Sequence, residues 1–225
     1  MIKIIIKKGK FSPLERGQLA PPWRGRGVFS LVLLFFLTNL SCSAYETIVN
    51  ISRLKFKLGN VNSFKISGVD LSNKSGIEEL TPTEILKISS SFAGGNLPAS
   101  FILNIEAKNP NDGTGGFSST NATLKSFPWR LLIEDKETVS GNINELETIP
   151  GTGEIANLPI QVNTDLLKFF KEKGYESILK LALNIGGINR SASNLTLYAQ
   201  PTVTTSLGDI RYPEEIRIIN YEFSK

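Results

Sequence analysis

Residues 101–111 read Phe-Ile-Leu-Asn-Ile-Glu-Ala-Lys-Asn-Pro-Asn. In an extended chain Phe101, Leu103, Ile105 and Ala107 fall on one side, with Asn104 and Glu106 on the other. A period of two is the mark of a half-buried β-strand. Pro110 has no N–H to donate to a ladder, and Asn111, Asp112 and Gly113 favour a turn, so the strand should end there. The same period recurs on both sides of this stretch. Leu54, Phe56 and Leu58 alternate with Lys55 and Lys57, and Trp129, Leu131 and Ile133 share another face. Asp135-Lys136 then predicts a hairpin turn into residues 137–140. Ile160 with Val162, and Leu195 with Leu197 and Ala199, continue the pattern. The last segment, Ile216 to Phe223, changes phase between Ile218 and Ile219, which predicts a bulge. Short half-buried strands separated by turn residues point to an antiparallel sandwich rather than a parallel sheet.

One region departs from this period. Asn163, Thr164 and Asp165 are helix N-cap residues, and Leu166, Leu167, Phe169 and Phe170 follow at helical spacing. Gly174 is expected to end or interrupt that helix. Beyond it Ile178, Leu181, Ala182 and Ile185 suit a helix, while Leu179, Leu181, Leu183 and Ile185 suit a strand, and both assignments stay open. Thr83–Ser91, preceded by Thr81-Pro82, suggests a shorter helix inside the polar stretch 71–95. A loop of that length without structure would be unusual in a compact domain. The expected fold is therefore mainly β, an antiparallel β-sandwich with one or two helices packed at one end. No internal repeat is evident.

The formal charge of +4 comes from 25 Lys+Arg and 21 Asp+Glu. Seven of those basic side chains (Lys3, Lys7, Lys8, Lys10, Arg16, Arg24 and Arg26) and one acid, Glu15, lie in residues 1–41. Removing them leaves 18 basic and 20 acidic residues, a net charge of −2 for 42–225. The positive excess thus belongs to the leader, which removes the main reason to expect nucleic-acid binding. The chain has no histidine, so Ser-His-Asp and Cys-His catalysis and His-ligated zinc are excluded. A single cysteine makes neither an intramolecular disulfide nor a multi-cysteine metal site.

Residues 28–40, VFSLVLLFFLTNL, form an apolar run behind Arg24 and Arg26. As a helix the run would rise about 20 Å, short of the roughly 30 Å hydrocarbon core, which suits a signal-peptide h-region better than a spanning helix. Leu40-Ser41-Cys42-Ser43 follows directly and resembles a bacterial lipobox, with Asn39 standing where leucine is usual. That resemblance implies diacylglycerol on the Cys42 thiol and cleavage before it. An ordinary signal cleaved near Ser43-Ala44 is the alternative. Residues 1–23 are rich in Pro, Gly and Arg and have no apolar period, as a misassigned start would give. The chain then divides into a leader (1–41, made of the extension 1–23 and the h-region 28–40), a lipid-anchored tether (42–50) and a folded domain (51–225). Ser43 rather than aspartate after the cysteine favours the periplasmic face of an outer membrane, if the source has one.

Phe101–Asn111 ends in Asn109-Pro110-Asn111, and this strand resembles one in the late-embryogenesis-abundant type 2 family, also called the WHy (water stress and hypersensitive response) domain. Further pieces follow in the order of that family. They are Leu131-Leu132-Ile133, Val139-Ser140-Gly141 closing a hairpin, Ile149-Pro150-Gly151-Thr152-Gly153, Leu158-Pro159-Ile160-Gln161-Val162 with its helix, and Pro201-Thr202-Val203. Gly208, Ile210 and Pro213 match the closing Gly-x-Ile-x-x-Pro turn. The resemblance spans roughly residues 54–223. It implies a sandwich like a fibronectin type III domain, no established active site, and a link to desiccation and stress tolerance. Asn109, Pro110, Asn111, Gly208 and Pro213 are on this basis structural motif residues.

Other candidates carry less chemistry. Residues 109–113 are rich in oxygen ligands but lack the spacing and terminal glutamate of an EF-hand, so a turn is expected and no metal. Gly113, Gly115 and Gly116 lack the lysine and helix of a phosphate loop. Glu78-Glu79 and Glu214-Glu215 are adjacent, and neighbours on a strand point to opposite faces, so neither pair is set up as acid and base. Asn50, Asn73, Asn121, Asn189 and Asn194 begin Asn-x-Ser/Thr triplets, which a bacterial lipoprotein gives no reason to read as glycosylated. Phe169, Phe170 and Tyr175 suit the core, with an apolar ligand pocket as the minor alternative. No cofactor is expected. The expected partners are a membrane, through the lipid anchor, and an envelope protein.

Overall fold

The computed structural model of the chain describes residues 53–115, 118–188, 194–205 and 208–224. The leader, Cys42, the tether and Gly116 lie outside them, as do Asn50 and Asn189. The described strands are β1 (Lys55–Ile66), β2 (Val69–Asp70), β3 (Pro98–Lys108), β4 (Ala122–Ile133), β5 (Lys136–Ile143), β6 (Glu147–Ile149), β7 (Ile155–Asp165), β8 (Leu195–Ala199), β9 (Thr202–Thr205), β10 (Gly208–Arg211) and β11 (Ile216–Ile218). The helices are α1 (Pro82–Ala93), α2 (Leu166–Phe169) and α3 (Tyr175–Gly186). None of the described helices is long and apolar enough to cross a membrane.

Two antiparallel sheets face each other. One has four strands in the order β2-β1-β3-β7, and the other has seven, running β10-β9-β4-β8-β11 with β5 and β6 also on β4. β4 is the spine of the larger sheet. Its first half pairs with β6 and β9, and its second half with β5 and β8. The alternation expected of Phe101–Ala107 holds across the whole of β3, whose register with β7 runs unbroken from Pro98 opposite Asp165 to Lys108 opposite Ile155. The buried faces of the two sheets meet in one apolar core, where the Phe56 and Phe127 rings pack with centroids 5.4 Å apart.

β1 is less regular than its sequence suggests. Leu58 pairs with Ile105 and Val61 with Leu103, so Gly59 and Asn60 share the single partner Asn104. A second irregularity lies between Asn62 and Lys65, where Ser63 adopts φ 54°. Each extra residue increases the local twist and bends β1 around the core. The hairpin after β4 has Glu134 and Asp135, both at positive φ (48° and 63°), as its central pair, and Lys136 already faces Ile133. The turn therefore sits one residue earlier than the expected Asp135-Lys136, because a two-residue turn of this hand needs both central residues left-handed. β5 also runs on past Val139-Ser140-Gly141 to Ile143 rather than ending there.

The helices gather where β1 ends and β3 begins. α1 covers the stretch expected to be helical and starts with a reciprocal capping box between Thr81 and Glu84, worth about 1 kcal/mol. The Asp165 carboxylate accepts from Leu167 N at 3.0 Å and Leu97 N at 2.8 Å, tying the first turn of α2 to the strand entering from α1. α2 stops at Phe169 of its own accord. Gly174 is the N-cap of α3, with its carbonyl accepting from Ser177 and Ile178, and not the terminator of the Leu166 helix. α3 settles the ambiguity of 178–185 as helix. Leu179, Leu181 and Leu183 are buried along with Ile178, Ala182 and Ile185, so a helix enclosed on several sides imitates a strand period.

The C-terminal segment corrects another expectation. β11 pairs with β8 only over Ile216–Ile218, and the phase change at Ile219 marks a crossing between sheets, not a bulge. Leu58 N donates to Ile219 O at 2.9 Å, Ser224 N to Phe56 O at 2.8 Å, and Phe56 N to Ser224 Oγ at 3.0 Å. Residues 219–224 thereby seal the edge of β1 that β2 leaves open.

Candidate functional site

The Asn-Pro-Asn turn is held by a dense set of polar contacts. Asn109 is fully buried, and its Nδ2 donates to Thr120 O at 2.8 Å and Ile149 O at 3.3 Å. Its Oδ1 accepts from Asn111 N at 3.1 Å, closing a local turn across Pro110. Asn111 is also buried. Its carbonyl accepts from Thr120 N at 3.2 Å and its Oδ1 from Arg53 Nη1 at 2.8 Å. Gly151 N donates to Asn121 Oδ1 at 2.9 Å, and a Cβ at Gly151 would lie 2.5 Å from Thr120 O and 2.8 Å from Asn111 O. Only glycine permits that approach. Asn109–Asn111, Thr120–Asn121 and Ile149–Gly151 thus form one latch joining the end of β3 to the start of β4 and the end of β6. Arg53 and Asn121 escaped sequence reasoning, because neither stands in a pattern that marks its partner.

Asp112, beside the latch, is exposed, and the Thr114 hydroxyl holds its carboxyl below the usual range. Gly113 and Gly115 take positive φ (91° and 64°), as a turn requires. Among the described residues no three His, Cys, Asp or Glu side chains come together to hold a metal ion.

Gly208 and Pro213 stand apart from the latch. Gly208 opens β10 at φ 106°, and its carbonyl accepts from the Thr205 hydroxyl at 2.7 Å. Pro213 lies in the loop between β10 and β11, where Gln200 Nε2 reaches Tyr212 O at 2.8 Å and Pro213 O at 3.3 Å. That loop borders an open cleft of about 350 Å³ on the larger sheet, lined in part by Trp129, Arg130, Gln200, Arg211 and Glu215. Arg130 lies 4.3 Å from the Tyr198 ring centre and grips Glu215 through Nε and Nη2, the closest contact being 2.8 Å. This grip holds the Glu215 carboxyl below the usual range. A carboxylate so engaged is not a free base. Burial raises the Tyr212 hydroxyl well above its ordinary pKa, which keeps it neutral.

Neither carboxylate pair lies on a strand, contrary to expectation. Glu78-Glu79 sits on a single 3₁₀ turn, Ile77–Glu79, where Glu79 accepts from Ser75 N at 2.9 Å. Glu214-Glu215 sits in the loop just described, and only Glu215 meets Arg130. Phe170 is core. Tyr175 packs edge-on against Phe92 at 5.5 Å, so these aromatics join helices to each other and to the core.

No family model matches the chain, and no curated protein matches it. Among solved structures it is similar to a protein from Archaeoglobus fulgidus, over 72% of this chain and 96% of that one, at 10% identity and a TM-score of 0.28. It is also similar to an Arabidopsis thaliana protein solved in solution, over 75% of this chain and 83% of that one, at 14% identity and a TM-score of 0.29. Neither likeness bears on function.

Proposed function

We propose that the chain is a non-catalytic, lipid-anchored envelope protein whose sandwich is a module of the WHy, or late-embryogenesis-abundant type 2, kind. It protects or scaffolds envelope components under water stress, at the periplasmic face of an outer membrane. The observation that carries this reading is the latch. The Asn-Pro-Asn motif and Ile149-Pro150-Gly151, the stretches most like that family, spend their polar atoms on one another and on backbone groups. The anchor is supported by Cys42, placed directly behind a short apolar run with basic residues on its N-terminal side.

A second reading, a binding or assembly lipoprotein presenting a sheet edge, is favoured by β7. It is 11 residues long and, among the described residues, pairs within its sheet only with β3. Deleting the gene and measuring survival after drying or osmotic shock tests the first reading, which expects a clear loss. Unchanged survival, together with a stoichiometric partner captured by crosslinking, would replace it with the second.

A further inference from the structure

We infer that Pro159 guards the open edge of the four-stranded sheet, keeping β7 from pairing with β7 of a second copy of this chain. The opposite edge of the sheet is closed by β2 and by residues 219–224 on β1. The phase of β7 follows from the bond just past its end. Leu166 N donates to Leu97 O at 3.0 Å, one step beyond the register pair Pro98 and Asp165. In an antiparallel ladder such directly bonded pairs alternate with unbonded ones. The register has no break, so Ala156, Leu158, Ile160, Val162 and Thr164 turn their N–H and C=O groups toward β3. Ile155, Asn157, Pro159, Gln161 and Asn163 turn theirs to the outer edge. Pro159 stands opposite Asn104, where its missing N–H costs the ladder with β3 nothing. Among the described residues the outward backbone groups have no backbone partner.

An unpaired edge is a template for another chain, and proteins blunt it with lysines, inward-pointing charges, bulges or proline. β7 carries one of these devices. Residues 155–164, IANLPIQVNT, hold no charged side chain, and their ladder with β3 has no bulge. Without its proline, an uncharged run containing Ile160, Val162 and Thr164 would have the composition of a self-pairing segment. The occupant that this edge suits is β7 of another copy. Two antiparallel copies of one strand make a self-complementary, two-fold contact, and no like charges would oppose each other along the run. Pro159 is the middle one of the outward residues, so the register that pairs most of them puts the two-fold axis at Pro159. Asn157 would then face Gln161 of the second copy, and Ile155 would face Asn163. At the centre each proline ring takes the place of an N–H and stands against the other copy's carbonyl. The central bonds are lost and the strands are held apart. A strand from a different protein meets the same obstacle unless it engages only half of the edge.

The inference does not depend on the anchor. Its test uses the full chain in excess detergent, so that lipid groups do not join copies, and combines sedimentation with residue-resolved amide exchange. The wild type is expected to be a monomer whose Asn157, Gln161 and Asn163 amides exchange at least about tenfold faster than those of Leu158, Ile160 and Val162. Pro159→Val is expected to form dimers as its concentration rises, and to slow exchange at the same three outward amides by about tenfold or more. Adding Gln161→Pro to that variant should restore the monomer, because the Gln161 N–H also faces outward and proline there removes no bond to β3. Slow exchange of the outward amides in the wild type, as monomer or dimer, would mean that the edge is already covered and would overturn the inference. A folded Pro159→Val protein that stays monomeric would overturn it too. So would a dimer that survives Gln161→Pro, or one whose outward amides exchange as fast as the parent's.

Discussion

Replacing Gly186 with alanine is expected to cost about 3 kcal/mol of stability, near the upper end for overpacking, and to lower the melting temperature by roughly 10 °C. Helix propensity argues the other way, since alanine exceeds glycine by about 1 kcal/mol inside a helix. Packing decides the sign. A Cβ at residue 186 would stand 2.1 Å from Phe64 Cγ and 2.2 Å from Phe64 Cβ, far inside the ~3.5–4.0 Å of ordinary carbon contact. Phe64 has nowhere to go, because it is fully buried and stacked on Phe101 with centroids 5.2 Å apart. The last turn of α3 must therefore lift from β1. Urea denaturation of the variant, alone and combined with Phe64→Leu, checks this account. The double variant should lose less than the sum of the two single losses, because the smaller side chain relieves the overlap. A Gly186→Ala protein as stable as the parent would mean that α3 does not cross β1 so closely.

Asn109→Ala is expected to cost a similar amount, about 3 kcal/mol, for a different reason. Three hydrogen bonds disappear, each worth about 1 kcal/mol net, and the carbonyls of Thr120 and Ile149 lose a donor. Asn109→Asp should not rescue it, since a carboxylate would face those two carbonyls with no proton to give. Asp112→Ala, three residues away and exposed, is expected to change stability by less than about 0.5 kcal/mol. Amide exchange at Asn111, Thr120 and Gly151 should quicken in Asn109→Ala ahead of the rest of the domain, because these are the latch amides. An Asn109→Ala protein with parental stability would show that the latch does not hold the two sheets' ends together.

These residues also show what could be read from sequence alone. Phe101–Ala107 and Leu54–Leu58 announced their buried faces because side-chain alternation is local and needs no partner to be visible. The cap Asp165 was legible for the same reason, while Thr81 stood out only as part of the Thr-Pro step before its helix. Pairing was not. Period two tells which side of a strand is buried, but not that β4 binds four neighbours, or that Gly59 and Asn60 share one residue of β3. At 178–185 the tertiary surroundings blurred the signal, since burial on several sides of α3 erased its polar face. The break at Ile218–Ile219 was visible, but its cause lay in β1, some 160 residues earlier in the chain. Asn109 stood out as part of a motif. Its role depended on Thr120 and Ile149, which no local pattern connects to it.

Residues 1–41 hold the basic excess of the whole chain, and residues 42–225 carry a net charge of −2. A single acyl chain gives only marginal membrane binding, whereas several chains, or one chain with a basic patch, make it stable. The most direct measurement of the central claim, anchorage through Cys42, is metabolic labelling with a palmitate analogue in cells making the wild-type chain or Cys42→Ser. The account predicts label on the wild type and none on the variant. Equal labelling of both, or none on either, would contradict it.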